Sequence, residues 1–364
     1  MKIPARRLRI QEGCIRIDAS HGEGGGQIVR TACALSALTG VACELFQIRG
    51  SRTKPGLMPQ HCAAVRGLAR LCDADITALK PGVTDLTFVP GRLQGRELSL
   101  DTGTAGSIGL VLQGLLLAGL GLEGPTRFTI RGGTDVPLAP PCDYLQSVKR
   151  SFLLRMGYRI ELSILRRGYY PKGGGVVDVR VYPPEAPLLQ PLWLPNATEA
   201  VCSRGISFAS SVLSEENVVQ KQRRRAIRHL TEYLHVPAKI SEDYGASNCP
   251  GSGLVVWAET RESILGASAL GNPGKSADEV AEQATEQLLR IYNSRASVDP
   301  WLGDQILPYL ALSSGPSMIS VPHVTRHMQT NMWLVERFLN VRFNCEVQGS
   351  FVTVTCDPED VKRA

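Results

Sequence analysis

Residues 24–40 read GGGQIVRTACALSALTG, a glycine-marked turn that opens an apolar helix, and the chain uses this figure three times. Its counterparts are TAGSIGLVLQGLLLAGLG from Thr104 and LGDQILPYLALSSG from Leu302. A short β-prone run follows each: ACELFQIRG, TRFTIRGG and SMISVPHV. A second amphipathic helix is expected near 61–72, 142–156 and 326–339, and after it a hairpin-like pair of strands. The spacing from Gly26 to Gly106 is 80 residues and that from His61 to Cys142 is 81, so one unit is repeated. The expected class is α+β: three packed β-α-β-α-β-β repeats, each with helices on one face of a four-stranded sheet. A helical layer left half exposed in one unit is buried when the units pack together.

The repeat breaks after GGGVVDVRVYP. A connection with prolines at 183, 184, 187, 191 and 195 leads into about 110 residues that do not fit it. The expected division is therefore 1–185 for two repeats, 186–296 for an inserted α+β domain, and 297–364 for the third repeat. Within the insert the pattern predicts strands near 200–208, 239, 254–259 and 264–270, with helices over 215–234 and 277–293. The first of these helices carries QKQRRRAIRH (220–229), the densest positive run in the chain. It reads either as a nucleic-acid contact or as a solvated face balanced by Glu215, Glu216 and Glu232, and the second reading is favoured.

At 364 residues, 20% charged and 43% apolar, the chain has ordinary globular usage. Its net charge of +6 tilts it weakly towards a polyanionic partner. Ten cysteines are scattered singly with no C-x-x-C pair, which suits core thiols in a reducing compartment. The start, MKIPARRLRIQEG, has basic residues without an apolar stretch behind them and is not expected to be a secretory signal. The longest apolar run, Ile108 to Leu122, is too short to span a bilayer. A cytoplasmic location is expected.

Chemistry is foreshadowed in five places. In SMISVPHVTRHMQTNMWLVERFLN (317–340), His327 falls in a first helical turn, where partial positive charge collects. An unprotonated imidazole there suits attack on a phosphate, while His323 and His327 could equally be half of a metal site or plain cap residues. DASHGEGGGQIVR (18–30) joins a strand to a helix through glycines that bring N–H groups to an anion, but it is neither a Walker A loop nor a dinucleotide fingerprint. Glu23 within it repels phosphate unless a divalent ion lies between them. Arg49, Arg52 and Lys54 cluster ahead of Gln60 and His61. RGGTDVPLAPP (131–141) and RGYYPKGGGVV (167–177) supply rigid glycine and proline walls.

Taken in order, GEGGGQIVR, KPGL followed by Gln60 and His61, GTAGS with LVLQ, GGTDVPLAPP, RGYYPKGGGVV and HVTRHMQTNMWLVERFL resemble the RNA 3′-terminal phosphate cyclases, from about residue 12 to 355. RGYYPKGGGVV is the most specific short signature. The resemblance implies an ATP-dependent conversion of an RNA 3′-phosphate to a 2′,3′-cyclic phosphodiester through a covalent His327–AMP, with Mg²⁺ or Mn²⁺. It implies Glu23 as metal ligand. Arg30, Arg52, Gln113, Pro140 and the run Trp301, Leu302, Gly303, Asp304 and Gln305 would hold ATP, and Arg49, Gln60 and His61 would meet the RNA end. Trp301 replaces a tyrosine common in the family, keeping stacking area but exchanging a hydroxyl for an indole N–H. A cyclase-like ribosome-assembly branch lacks the histidine nucleophile that stands here as His327, and His323 is expected to support it by hydrogen bonding. Carboxyvinyl transferases share such repeats without sharing these motifs, so fold alone does not settle function. Oligomeric state is open, a dimer being compatible with the sequence.

Overall fold

The computed structural model describes residues 13–77 and 79–358; the basic N-terminal run discussed above lies almost wholly outside them. The first unit is β1 (Ile15–Asp18), α1 (Gly26–Thr39), β2 (Cys43–Phe46), α2 (Pro59–Cys72), β3 (Asp75–Ile76) and β4 (Leu86–Val89). Its sheet runs β1-β2-β4-β3, with β1 and β2 parallel and the rest antiparallel. The second unit repeats this order as β5-β6-β8-β7, from β5 (Leu98–Asp101), β6 (Thr126–Gly132), β7 (Arg159–Arg166) and β8 (Gly175–Tyr182). Its helices are α3 (Ile108–Gly119) and a continuous run of α4 (Cys142–Tyr144), a π turn (Leu145–Lys149) and α5 (Arg150–Arg155).

The insert comprises β9 (Ala200–Ser210), α6 (Val218–Leu234), β10 (Ala238–Gly245), β11 (Ser252–Thr260), β12 (Ile264–Leu270) and α7 (Ala277–Asn293). Its sheet is β10-β9-β11-β12, and α6 and α7 pack together over it around a second apolar core. Two arginines of the basic run on α6 are held within the insert. Arg225 pairs with Glu282 at 2.6 Å, and Arg223 donates to the Ile240 carbonyl at 3.0 Å. The counter-charges come from neighbouring elements and not from Glu215, Glu216 and Glu232, because the apolar stripe of α6 turns its flanks towards β10 and α7.

The third unit holds α8 (Pro300–Ala311), β13 (Ser317–Val321), α9 (Arg326–Phe338), β14 (Val341–Gln348) and β15 (Phe351–Pro358). Its sheet, expected to have four strands, has three, in the order β13-β15-β14. The place of the first strand is taken by a bridge in which Trp193 lies parallel to Met318. There Met318 N donates to Leu192 O at 2.7 Å, and Leu194 N donates to Met318 O at 2.8 Å. Residues 189–194, counted with the insert on sequence grounds, thus hydrogen-bond to the third unit. Five prolines between 183 and 195 limit the N–H groups available for a full ladder. The insert accordingly stands between first strand and first helix of the third unit, where the first unit has its glycine loop.

α1 packs on α2, α3 and α9, and α8 packs on α3 and α9, so the first helices of the units meet at the centre with sheets outside. This explains why α3 is apolar nearly all round and why α1 is buried from Gln27 to Ala37. The ten cysteines are free thiols, and among the described residues no helix is long and apolar enough to cross a membrane.

One buried carboxylate joins the parts. Asp299 caps α8 by accepting from Leu302 N at 3.0 Å, and also accepts from the Tyr144 hydroxyl at 2.6 Å and from Gly266 N in β12 at 3.0 Å. Asp299→Ala removes the cap and orphans two buried donors, and should cost about 2–4 kcal/mol of stability, read from urea denaturation midpoints. A midpoint within experimental error of wild type would show that the junction does not depend on it.

Candidate active site

Each unit turns its strand-to-helix loops towards the same side, and a cleft of about 960 Å³ opens there. Ligands gather at the carboxyl ends of parallel strands for the same geometric reason in other α/β sheets. The glycine loop of the first unit brings Glu23, the loop before α2 brings Arg49 and Arg52, and the loop before α3 brings Thr104 to Gly106. The loop after β6 brings Val136 to Pro141, and the start of α9 brings His327.

α9 starts where the sequence predicted. Thr325 is its N-cap, accepting from Met328 N at 3.0 Å, and the same hydroxyl makes a short bond to Asp304. His327 is the second helical residue. Its Nδ1 makes a short bond to Gln27 Oε1, while Gln27 Nε2 donates to the His327 carbonyl at 3.4 Å. That second bond fixes which way the Gln27 amide points, so the oxygen faces Nδ1 and Nδ1 carries a proton. On the other side, His327 Nε2 lies 2.6 Å from Glu23 Oε2. Burial lowers the His327 pKa from the ordinary imidazole value; Glu23 raises it, and Arg30 and Arg52 lower it.

Glu23 bridges the cleft floor. Oε1 pairs closely with Arg52, whose Nη2 also donates to the Glu23 carbonyl at 3.1 Å. Arg30 is buried, donates to Gln113 Oε1 at 3.2 Å and leaves its Nε unpartnered; burial lowers its pKa to about 10. An unpaired buried guanidinium N–H beside a cleft fits an anionic ligand. Arg49 donates to Gly56 O at 3.3 Å, and burial and Arg52 lower its pKa. Gln60 Oε1 accepts from Ser107 N at 2.9 Å, locking the first two units together.

His61 accepts from Met58 N through Nδ1 at 3.1 Å, so its neutral ring carries its proton on Nε2. Its ring lies so close to Gly26 that a methyl there would overlap it, which is why a glycine opens α1. Burial, with Arg30 and Arg49 nearby, lowers its pKa to about 3. Its ring signals should therefore show no titration between pH 7 and pH 5 by NMR. A midpoint near 6.5 would contradict the buried, neutral assignment.

At the far end Trp301, Asp304, Gln305 and Pro140 line the cleft, whereas Leu302 and Gly303 do not. Leu302 is buried, and Gly303 packs against Val321 and Met328, as helical periodicity requires of residues on the opposite face from Trp301 and Gln305. Burial raises the Asp304 pKa to about 7, opposed by Thr325 and aided by Asp299 and Glu23. Gln305 is oriented by Lys149, whose buried Nζ donates to it at 3.2 Å, and by its own bond to Trp301 O at 3.0 Å. His323 stands exposed and does not line the cleft, so its expected support of His327 is not found; that role falls to Gln27. Gln27 sits in the quoted GEGGGQ motif, and its position one residue into α1 was the available signal. Lys149, in the middle of an apolar helix, gave none.

Among the described residues no three His, Cys, Asp or Glu side chains converge as a metal cage. Of the described carboxylates that line the cleft, Glu23 and Asp304, Glu23 stands beside the arginine-rich floor, a set that fits a divalent ion held chiefly by ligand phosphates and water. The equipment is that of a phosphate-handling protein. A family model described as RNA 3′-terminal phosphate cyclase matches residues 21–345. Proteins named RNA 3′-terminal phosphate cyclase from Methanopyrus kandleri, Pyrococcus furiosus and Thermococcus onnurineus are 42%, 43% and 45% identical. These alignments cover 95%, 92% and 92% of this chain and 99%, 95% and 96% of theirs. The chain belongs to the RNA 3′-terminal phosphate cyclase family. A solved structure, the enolpyruvyl transferase NikO from Streptomyces tendae, aligns at 14% identity and a TM-score of 0.27 over 47% of this chain and 33% of its own, too distant to bear on the fold.

Proposed function

We propose that this protein is an ATP-dependent cyclase of RNA 3′-terminal phosphates working through a covalent His327–AMP. The observation that carries the reading is the clamp on His327, with Nδ1–H given to Gln27 and Nε2 turned to Glu23 and the arginines. In that tautomer Nε2 carries no proton and supplies the lone pair. Nε2 bonds to the α-phosphorus of ATP, and the bond to pyrophosphate breaks. An oxygen of the RNA 3′-phosphate then takes the adenylyl group, the P–N bond breaks, and a phosphoanhydride results. The neighbouring 2′-hydroxyl attacks the 3′-phosphorus, AMP leaves, and the hydroxyl proton goes to solvent. The ring closure is favoured because nucleophile and phosphorus are held on one ribose. A DNA end lacks that hydroxyl.

Arg30 and Arg52 would bind the polyphosphate, and Gln113 holds the Arg30 fork in place. Trp301 and Pro140 would enclose the adenine, with Asp304 and Gln305 beside the ribose. Arg49, Gln60 and His61 would receive the RNA end, His61 as a neutral N–H donor. Glu23 would hold Mg²⁺ or Mn²⁺, which when bound neutralises phosphate charge. The protein would act on RNA in a soluble compartment, the cytoplasm being the expected one.

Incubation with α-labelled ATP and Mg²⁺, without RNA, should leave acid-labile, alkali-stable label on the wild type and none on His327→Ala. Unlabelled wild type, or a labelled variant, would sink the nucleophile assignment. Gln27→Ala should slow labelling on the order of 100-fold while shifting the KM for ATP little, since a misaimed ring costs rate more than binding; an unchanged rate would remove Gln27 from the mechanism. Because the folded His327 pKa is lowered, the reactive neutral ring persists below pH 6.5, so the acid limb of the labelling rate should lie below 6.5. A limb above pH 6.5 would contradict that sign.

A further inference from the structure

The tyrosine turn of RGYYPKGGGVV reaches the cleft, and nothing in the reaction outlined above uses it. Tyr170 is 68% exposed, yet its ring lines the same cleft as His327. The turn beneath it is tightly held. Gly173 N donates to Tyr169 O at 2.7 Å, and the Tyr169 ring is buried against Gly251 of the insert. Cys249 Sγ approaches the Tyr169 and Tyr170 carbonyls at 3.4 and 3.7 Å. Arg166 donates to Asn248 at 2.6 Å, and Arg167 pairs with Asp243 at 2.7 Å while bound to Asp143 at 2.7 Å. The backbone is thus fixed by the insert while a large aromatic face stays in water.

The turn adjoins one arm of the cleft. Gly173 packs against Thr104 and Ala105, and the next residue, Gly106, packs against Gln60. Gln60 and His61 line the cleft with Arg49 and Arg52. Lys172, exposed in the same turn, forms no ion pair among the described residues. Leu138, another cleft residue, is fully exposed at a positive φ of 64°. A held aromatic face next to cations is how single-stranded RNA ends are gripped, by base stacking with backbone charge alongside.

We propose that Tyr170 is a stacking platform for a base near the 3′ end of the RNA, with Lys172 beside the adjoining phosphate, and that the insert holds this platform in place. The proposal rests on the cyclase reading. It answers what the insert contributes to the site: β12 and the start of α7's approach, through Ser268, Leu270 and Asn272, wall the cleft directly, and the 243–251 segment braces the tyrosine turn.

The test is steady-state cyclisation of a 3′-phosphorylated oligoribonucleotide with ATP and Mg²⁺, measuring the KM for RNA and the KM for ATP separately. Tyr170→Ala should raise the KM for RNA about tenfold or more, the loss of one stacked base, and should raise it far more than the KM for ATP. Tyr170→Phe keeps the aromatic face and should restore the wild-type KM for RNA. An RNA KM within twofold of wild type in Tyr170→Ala overturns the platform alone. So does a rise confined to the KM for ATP, which would assign the ring to the nucleotide, or a Tyr170→Phe as impaired as Tyr170→Ala. A wild type that labels and cyclises nothing removes the cyclase reading and the platform with it.

Discussion

A single carboxylate organises the far end of this molecule. Asp299 accepts from a tyrosine of the second unit, a backbone N–H of the insert and the first turn of α8, and it does so fully buried. Burial raises its pKa to about 6, and the three donors pull the other way. The gain is positional. α8 begins immediately after Asp299, so Trp301, Asp304 and Gln305 inherit their places from that cap. The same logic runs through the cleft, where Thr325 starts α9 and so sets His327. Side chains that handle charge are fixed by helix starts, and helix starts are fixed by short polar caps.

Burial and the arginines of the cleft floor favour neutral imidazoles, and Glu23 pulls the other way on His327. Burial lowers both imidazoles first, with Arg30 and Arg49 adding to the effect at His61 and Arg30 and Arg52 adding to it at His327. Only His327 has a carboxylate against it, and only His327 is half exposed. Similar chemistry in two histidines therefore yields a fixed hydrogen-bond donor in one and a ring with an accessible nitrogen in the other.

The repeat was legible because the first helix of each unit is mostly buried, and its few polar positions leave a conspicuous apolar run. α9 was legible from its period and its threonine cap. What the sequence hid has physical causes. Gln27 acts across a separation of 300 residues, and no local pattern encodes such a contact. The strand-like residues around Trp193 carry too many prolines to read as part of a sheet. Leu302 and Gly303 sat in a motif-matched run, but only alternate sides of a helix can face a cleft. His323 looked important by its spacing from His327 and lies outside the helix that would have brought the two together.

The bridge between Trp193 and Met318 also bears on how the chain assembles. The ends of the insert meet locally, with Ala197 N donating to Arg295 O at 2.8 Å and Ser297 Oγ donating to Leu194 O at 2.7 Å. The insert has its own apolar core and can condense before the chain beyond it is used. The third sheet cannot, because its first segment must wait for Met318. Since loop-closure entropy grows only logarithmically, each doubling of a connection costs about 0.6 kcal/mol, and a whole domain in place of a short glycine loop is a small thermodynamic burden. The consequence is kinetic instead: the edge of the third sheet pairs only when residues 193 and 318, separated by the whole insert, have met, and contacts so distant in sequence are slow to form.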